Sequence, residues 1–339
     1  MTRRAQRIAV AATAALAAAA LVFSAVAPAQ AQQPAATAGH AQSTPQLQAA
    51  TPGPLLQCAS LIGFTYPNTV ITGASVVPAG ALSNGGRPVG EHCLVTGRMN
   101  ARVSPVDGRN YAIGFEMRLP TAWSGRYLYQ ANGGIDGAVA TALGATRGGE
   151  SGLQMGMAVI SSDAGHNGSQ NPVFGLDPQA RLDYGYAAVG TLTPMAKSLV
   201  AATYGRGPDR SYITGGSNGG RHTMVASTRY ADQYDGFLAI SPGFNLPKAA
   251  VAQIWGAQQW NTLATTTDLA TAFTPQERQL VADSILARCD GLDGLADGMV
   301  YSSAKCQNVF TLQGHVPTCK SVRDGTCLTR DQKLSLIHI

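Results

Sequence analysis

Charge is scarce in this chain: Asp, Glu, Lys and Arg make up 13% of its 339 residues. The formal net charge is +5, of which Arg3, Arg4 and Arg7 supply three units, so everything after them carries only +2. Without a basic stripe or cluster there is no electrostatic footprint for nucleic acid, and that class of partner is excluded. Zinc-type ligand spacings are missing as well. The six cysteines include no Cys-x-x-Cys, and the histidines are not paired.

What is present begins with a targeting signal. Arg3, Arg4 and Arg7 precede an Ala/Leu/Val run that ends at Ala29-Gln30-Ala31, which reads as a secretory signal peptide over residues 1–31. The alternative is an uncleaved anchor, since Ile8 to Ala27 is almost long enough to span a bilayer. No cysteine lies near the cleavage site, so a lipid anchor is not indicated. Residues 32–54, rich in Gln, Ala, Thr and Pro, read as a disordered leader. The mature product is therefore expected to be secreted or periplasmic, with no membrane attachment after cleavage. Disulfides form in that environment, and an even count of six cysteines allows complete pairing. Local order favours Cys58 with Cys93, Cys289 with Cys306, and Cys319 with Cys327.

With 45% apolar residues and 39 glycines, the remainder is large enough for one sizeable domain with an insertion. Its most informative segment is Arg210-Ser-Tyr-Ile-Thr-Gly-Gly-Ser-Asn-Gly-Gly-Arg-His222. Ser211 to Thr214 reads as a short buried strand, and Asn218 to Tyr230 has helical spacing. Between them Gly215-x-Ser217-x-Gly219 has the pattern of a nucleophile elbow, in which glycines permit the sharp bend that pushes the serine hydroxyl out of the sheet. An Ala-rich helix from Tyr186 to Tyr204 precedes it. A second apolar strand, Phe237 to Ile240, follows. Ser217 is the candidate nucleophile.

The strand Arg126-Tyr-Leu-Tyr-Gln130 runs into Ala131-Asn-Gly-Gly-Ile-Asp-Gly137, a loop too glycine-rich to serve packing. Attack on an ester carbonyl creates an oxyanion, which needs backbone N–H donors at close range. Gly134 and Asn218 are the expected pair, with Gly133 as the alternative donor. Ala158-Val-Ile-Ser-Ser-Asp-Ala-Gly-His166 brings Asp163 and His166 to the same end of the sheet. Both precede Ser217, whereas triads on this kind of fold run Ser, then Asp or Glu, then His, which disfavours His166 as the base. His222 is expected to point along its helix, away from the nucleophile. Farther on, Asp290, Asp293 and Asp297 alternate with glycines that let the loop curl its carboxylates towards one hard cation, a pattern that suits Ca²⁺ without matching an EF-hand.

Together these segments resemble the tannase and feruloyl esterase family of α/β-hydrolases. The resemblance is carried by Asn132-Gly-Gly, Ser162-Asp-Ala-Gly-His166, Leu182-Asp-Tyr-Gly-Tyr186, Ser211-Tyr-Ile-Thr-Gly-Gly-Ser-Asn-Gly-Gly-Arg221, Arg229-Tyr-Ala-Asp-Gln-Tyr-Asp-Gly236 and Cys289-Asp-Gly-Leu-Asp-Gly-Leu-Ala-Asp-Gly298. Phe174 to Asp183 resembles the branch that contains mono(2-hydroxyethyl) terephthalate hydrolase. The resemblance implies a doubly wound α/β-hydrolase sheet over 55–246 and a lid inserted from 247 onward, whose Trp255 and Trp260 are candidate pocket walls. It implies Ser217 as nucleophile, the N–H groups of Gly134 and Asn218 as oxyanion hole, and structural calcium held by Asp290, Asp293, the Leu295 carbonyl, Asp297 and the Met299 carbonyl.

Two departures from the family pattern stand out. Gly216 occupies the place of a cysteine that usually tethers the nucleophile turn. The family also continues well beyond residue 339, and its catalytic Asp and His lie there, so residues 334–339 look foreign and the lid incomplete. The expectation is a serine carboxylic ester hydrolase acting on small esters of aromatic acids (galloyl, feruloyl or terephthaloyl). These residues alone are expected to be inactive and poorly folded, and a binding protein on the same fold is the alternative.

Overall fold

The computed structural model describes residues 53–338, except 56 and 145–148. The signal peptide and the leader up to residue 52 lie outside the described residues. The leader's last two residues, Gly53–Pro54, form a short strand paired antiparallel with Ala122–Trp123, so hydrogen-bonded backbone stands where a disordered leader was expected.

A seven-stranded sheet organises the chain. Its strands are β1 (Thr69–Val77), β2 (His92–Val103), β3 (Asn110–Pro120), β4 (Arg126–Ala131), β5 (Ala158–Ser162), β6 (Arg210–Gly216) and β7 (Gly236–Ile240). Their spatial order is β7-β6-β4-β5-β3-β2-β1. From β7 to β5 the neighbours run parallel, and from β5 through β3 and β2 to β1 they run antiparallel. The sheet is therefore mixed. The link between Val103 and Asn110 is far too short for the crossover that parallel strands need.

Burial follows the layering. Every residue of β5 is buried, as a strand covered on both faces requires, while the first half of β3 alternates strictly. Helix α1 (Ala188–Tyr204) lays Val189, Leu192, Met195, Ala196 and Leu199 into the cluster that contains Phe115, Met117, Tyr127, Ile160 and Ile213. It stops at Gly205, whose φ of 77° is the left-handed conformation a C-terminal glycine adopts at no steric cost. Each such large apolar side chain contributes about 1.5–3 kcal/mol on burial. Helix α2 (Asn218–Arg229) follows β6 directly.

Beyond β7 the chain is helical: α3 (Leu246–Asn261), α4 (Pro275–Cys289), α5 (Ser303–Val309) and α6 (Arg330–His338). A separate small cluster of Ala272, Phe273, Val316 and Leu328 holds this part, with Trp260, Leu280 and Leu336 packed against it. Residues 334–338, which the sequence reading set apart from the family pattern, continue α6. Cysteines pair as local order favours: Cys58–Cys93, Cys289–Cys306 and Cys319–Cys327. Three disulfides call for an oxidising environment. Among the described residues no helix is long and apolar enough to cross a membrane.

Candidate active site

Strand β6 turns into α2 at Ser217, which has φ 57° and ψ −119°. A serine in that conformation is strained, and the surrounding backbone holds it there. Its N–H donates to the Ile240 carbonyl at 2.9 Å, and its own carbonyl accepts from the N–H of Gly243 at 2.8 Å. The flanking glycines are required by space. A Cβ at Gly215 would lie 2.6 Å from the Ala131 carbonyl oxygen, and one at Gly219 would overlap that same carbonyl more severely. The turn thus brings the end of β4 against the first turn of α2. Ser217 itself is exposed, and its hydroxyl makes no capping bond to the helix.

The loop after β4 curls back beside this serine through Gly134 (φ 65°), Asp136 (φ 54°) and Gly137 (φ 89°). Among the described hydrogen bonds none uses the N–H of Gly134 or of Asn218. The latter is one of the orphan donors that every helix N-terminus leaves. A cleft of about 220 Å³ opens between the ends of β4 and β6, lined by Asn132, Gly133, Thr141, Leu143, Gly216 and Ile240 among others.

Beneath the loop lies a buried polar cluster that the sequence reading did not assemble. Asp136 Oδ2 accepts from Asn218 Nδ2 at 2.7 Å and from His222 Nε2 at 2.8 Å. The side chains of Asp136 and His222 are 1% and 3% exposed. The contact places the ring proton on Nε2, and Nδ1 is buried without a partner among the described residues. Asn218 Oδ1 in turn accepts from Arg221 Nε at 2.7 Å and from the Tyr184 hydroxyl at 3.2 Å. The Arg221 guanidinium also donates to the carbonyls of Tyr184 and Gly185 and sits over the Tyr184 ring. One signal could have found part of this: Asn218 and His222 are four apart on a helix and share a face.

Asp163 and His166 do not meet Ser217. His166 Nε2 donates to the Ile135 carbonyl at 3.0 Å, its ring stacks on Phe174 at 3.8 Å, and burial lowers its affinity for a proton. Asp163 accepts from the N–H groups of Gly114 and Gly165 at 3.0 and 2.9 Å. Burial, partly offset by those two bonds, pushes its carboxyl up to about 7. Both residues line a polar cavity of about 500 Å³ with Arg98, Arg102 and Tyr111.

In the acidic loop, Gly294 (φ 104°) and Gly298 (φ 81°) supply the curl. Its carboxylates are taken up by backbone N–H groups. Asp290 Oδ1 accepts from Asp297 and Gly298, Asp293 from Leu295 and Tyr301, and Asp297 from Met299. Among the described residues no three acidic, His or Cys side chains converge closely enough to form a metal site. The donor chemistry, oxygen throughout, suits Ca²⁺, and Asp290 and Asp297 each keep one carboxylate oxygen out of these bonds. On α3, Trp255 is 47% exposed, while Trp260 is half-buried against Phe273 at 5.7 Å.

The chain is similar to known proteins. The family model for tannase and feruloyl esterase matches residues 93–338. A mono(2-hydroxyethyl) terephthalate hydrolase of Piscinibacter sakaiensis is 35% identical over 291 residues, covering 78% of this chain and 48% of that protein. An uncharacterized esterase of Agrobacterium fabrum is 30% identical over 292 residues, covering 81% of this chain and 51% of that protein. Among solved structures, feruloyl esterase B from Aspergillus oryzae superposes with a TM-score of 0.66 at 25% identity, over 83% of this chain and 54% of that one. The chain spans about half the length of the curated relatives it matches. From the mixed α/β sheet, the serine turn and this match across most of its length, the chain belongs to the tannase and feruloyl esterase family, a family of carboxylic ester hydrolases.

Proposed function

We propose that the whole protein is a secreted or periplasmic serine carboxylic ester hydrolase acting on small esters of aromatic acids through an acyl-enzyme on Ser217. The observation that carries this reading is the exposed Ser217 on its strained turn, followed directly by Asn218, whose N–H, like that of Gly134 in the loop after β4, enters no described hydrogen bond. The Ser217 oxygen attacks the ester carbonyl, and the oxyanion is received by the two N–H groups. The alcohol leaves with a proton and water then hydrolyses the acyl-enzyme. A histidine oriented by a carboxylate takes the Ser217 proton and returns it to the leaving alcohol. Neither His166 nor His222 is assigned that part, since both are bonded elsewhere. The names of the relatives favour feruloyl or terephthaloyl acyl groups, with galloyl esters the further member of the class. In this reading the helical part after residue 246 is the lid, Trp255 is a pocket wall, and the 290–299 loop takes structural calcium through Asp290, Asp293, Asp297 and the carbonyls of Leu295 and Met299.

A second reading, a binding protein on the same fold, draws on the fact that no described histidine or carboxylate is hydrogen-bonded to Ser217. On either reading residues 1–339 alone are expected to turn over esters poorly. The test is Ser217→Ala in the full-length gene product with methyl ferulate and a p-nitrophenyl ester. The expected loss in kcat is at least about a thousandfold. Turnover within about tenfold of the parent would remove Ser217 from the mechanism.

A further inference from the structure

The oxyanion donors sit on two separate pieces of chain, the loop after β4 and the start of α2. Their spacing must be set to a fraction of an ångström for both to reach one oxygen. Few backbone bonds hold the loop: Asp136 N–H to the Gly133 carbonyl at 3.3 Å, and Gly137 N–H to the Asp163 carbonyl at 3.1 Å. Neither bond reaches α2. The direct link between the two pieces is the Asp136 carboxylate, which accepts at once from Asn218 and His222. Asp136 also stands at φ 54°, a conformation that Asp and Asn tolerate and most other residues resist.

We propose that Asp136 is the positioning residue of the oxyanion hole: its carboxylate clamps the 133–137 loop to the first turn of α2 through the side chains of Asn218 and His222. Arg221 and Tyr184 complete the clamp from below, because they occupy Asn218 Oδ1 and so turn its amide NH₂ towards Asp136. Fixing the Asn218 side chain fixes the peptide plane that carries its N–H. The whole device is inaccessible to water at its centre, where charge-assisted bonds are strong and their loss is costly. A specific consequence follows. The Asp136 and His222 side chains are buried away from the surface, so loosening the clamp should leave ground-state binding nearly intact and weaken only the stabilisation of the developing oxyanion.

This inference rests on the serine-esterase reading, and the experiment separates the two. In the full-length protein, Asp136→Ala is expected to lower kcat about a hundredfold, with KM within about threefold of the parent, as for loss of one oxyanion donor. Asp136→Asn keeps one acceptor oxygen and the tolerance for positive φ, and is expected to recover part of that loss. Asn218→Ala retains the backbone N–H but lacks the amide that reaches Asp136, so it should show the same fall in kcat at unchanged KM. Because both changes break one clamp, the Asp136→Ala, Asn218→Ala double variant should be no slower than the worse single variant. Folded single variants with parental kcat, or losses that multiply in the double variant, would overturn the clamp while Ser217→Ala remains inactive. If Asp136→Ala fails to fold, Asn218→Ala alone decides by the same kcat and KM criterion. A Ser217→Ala protein that still turns over ester would instead defeat the underlying reading.

Discussion

Between Thr69 and Ile240 the chain buries Phe115, Met117, Trp123, Tyr127, Ile160, Leu192, Leu199 and Ile213 almost completely, whereas from Leu246 to His338 only Leu328 joins the largest fully buried side chains. In the helical part Val251, Ile254, Trp255, Leu295, Met299 and Tyr301 stay exposed. Two of the three disulfides are found there, Cys289–Cys306 and Cys319–Cys327. A bridge of 17 residues' separation, like the first of these, is worth about 3 kcal/mol by restricting the unfolded chain. Its tightest knot is also polar. Glu277, with a side chain 0% exposed, caps α4 from Thr274 and accepts from both Arg323 and Gln332. The sheet half is thus held mainly by apolar burial, and the helical half by a small apolar cluster together with cross-links and one charged cluster. The difference fits a division of labour. On the proposed function, a dense frame would fix the serine turn and the donor loop, and the more open, cross-linked helical part would leave apolar surface available as a lid.

The comparison can be broken most directly at Glu277. Glu277→Ala leaves Arg323 without its buried partner and is expected to cost about 3–5 kcal/mol in the helical half. Amide exchange should accelerate in α4 and α6 and stay near parental in β4, β5 and β6. Equal acceleration in both halves would show that they unfold as one unit.

Calcium sharpens the same contrast. If the 290–299 loop binds it, stability of the helical half should rise by about 2.7 kcal/mol at a hundredfold excess over Kd. A thermal melt with chelator against added Ca²⁺, paired with elemental analysis, reads this. Identical melts and no bound metal would leave the loop a hydrogen-bonded turn.

The smallest expected effect is a difference in the sign of pH dependence. Burial holds the Asp163 carboxyl up at about 7, so its protonated form is favoured in the fold. Its contribution therefore falls as pH rises from the ordinary carboxylate range of about 4 through 7. For Glu277 burial pushes upward too, but Arg323, the Thr274 N–H and Gln332 outweigh it and the net direction is down. That contribution is present above the usual glutamate value and is lost as pH falls. The sheet half has an acid-sensitive contact of its own, since Arg102 holds Asp177 well below the carboxylate range. Single substitutions isolate the signs. Asp163→Asn should raise the melting temperature more at pH 8 than at pH 5, and a gain independent of pH would mean that Asp163 is ionised throughout.

Much of the frame was legible in the sequence because it rests on local pattern. The Gly215-x-Ser217-x-Gly219 turn, the strands on either side and the glycine loop before them each show in a short window, and the disulfides follow nearest-neighbour order. The antiparallel half of the sheet was not read, although the short link between Val103 and Asn110 implies it. Hidden altogether was the partnership of Asp136 with His222, which lie 86 residues apart and meet only because β4 and β6 are neighbours. His222 on its own helix looked idle for the same reason. Asp290, Asp293 and Asp297 show the converse: their spacing is eloquent in sequence, yet the folded loop turns several of their oxygens to its own N–H groups.

The most direct test of the account is the covalent intermediate itself. The full-length protein would be mixed with a p-nitrophenyl ester of an aromatic acid, quenched in acid within the first turnovers, digested, and its peptides mapped by mass spectrometry. The expected result is an acyl adduct on Ser217 in the peptide between Arg210 and Arg221, absent from Ser217→Ala. Burst release of p-nitrophenol with the acyl group on any other residue, or steady turnover unchanged in Ser217→Ala, would contradict the account.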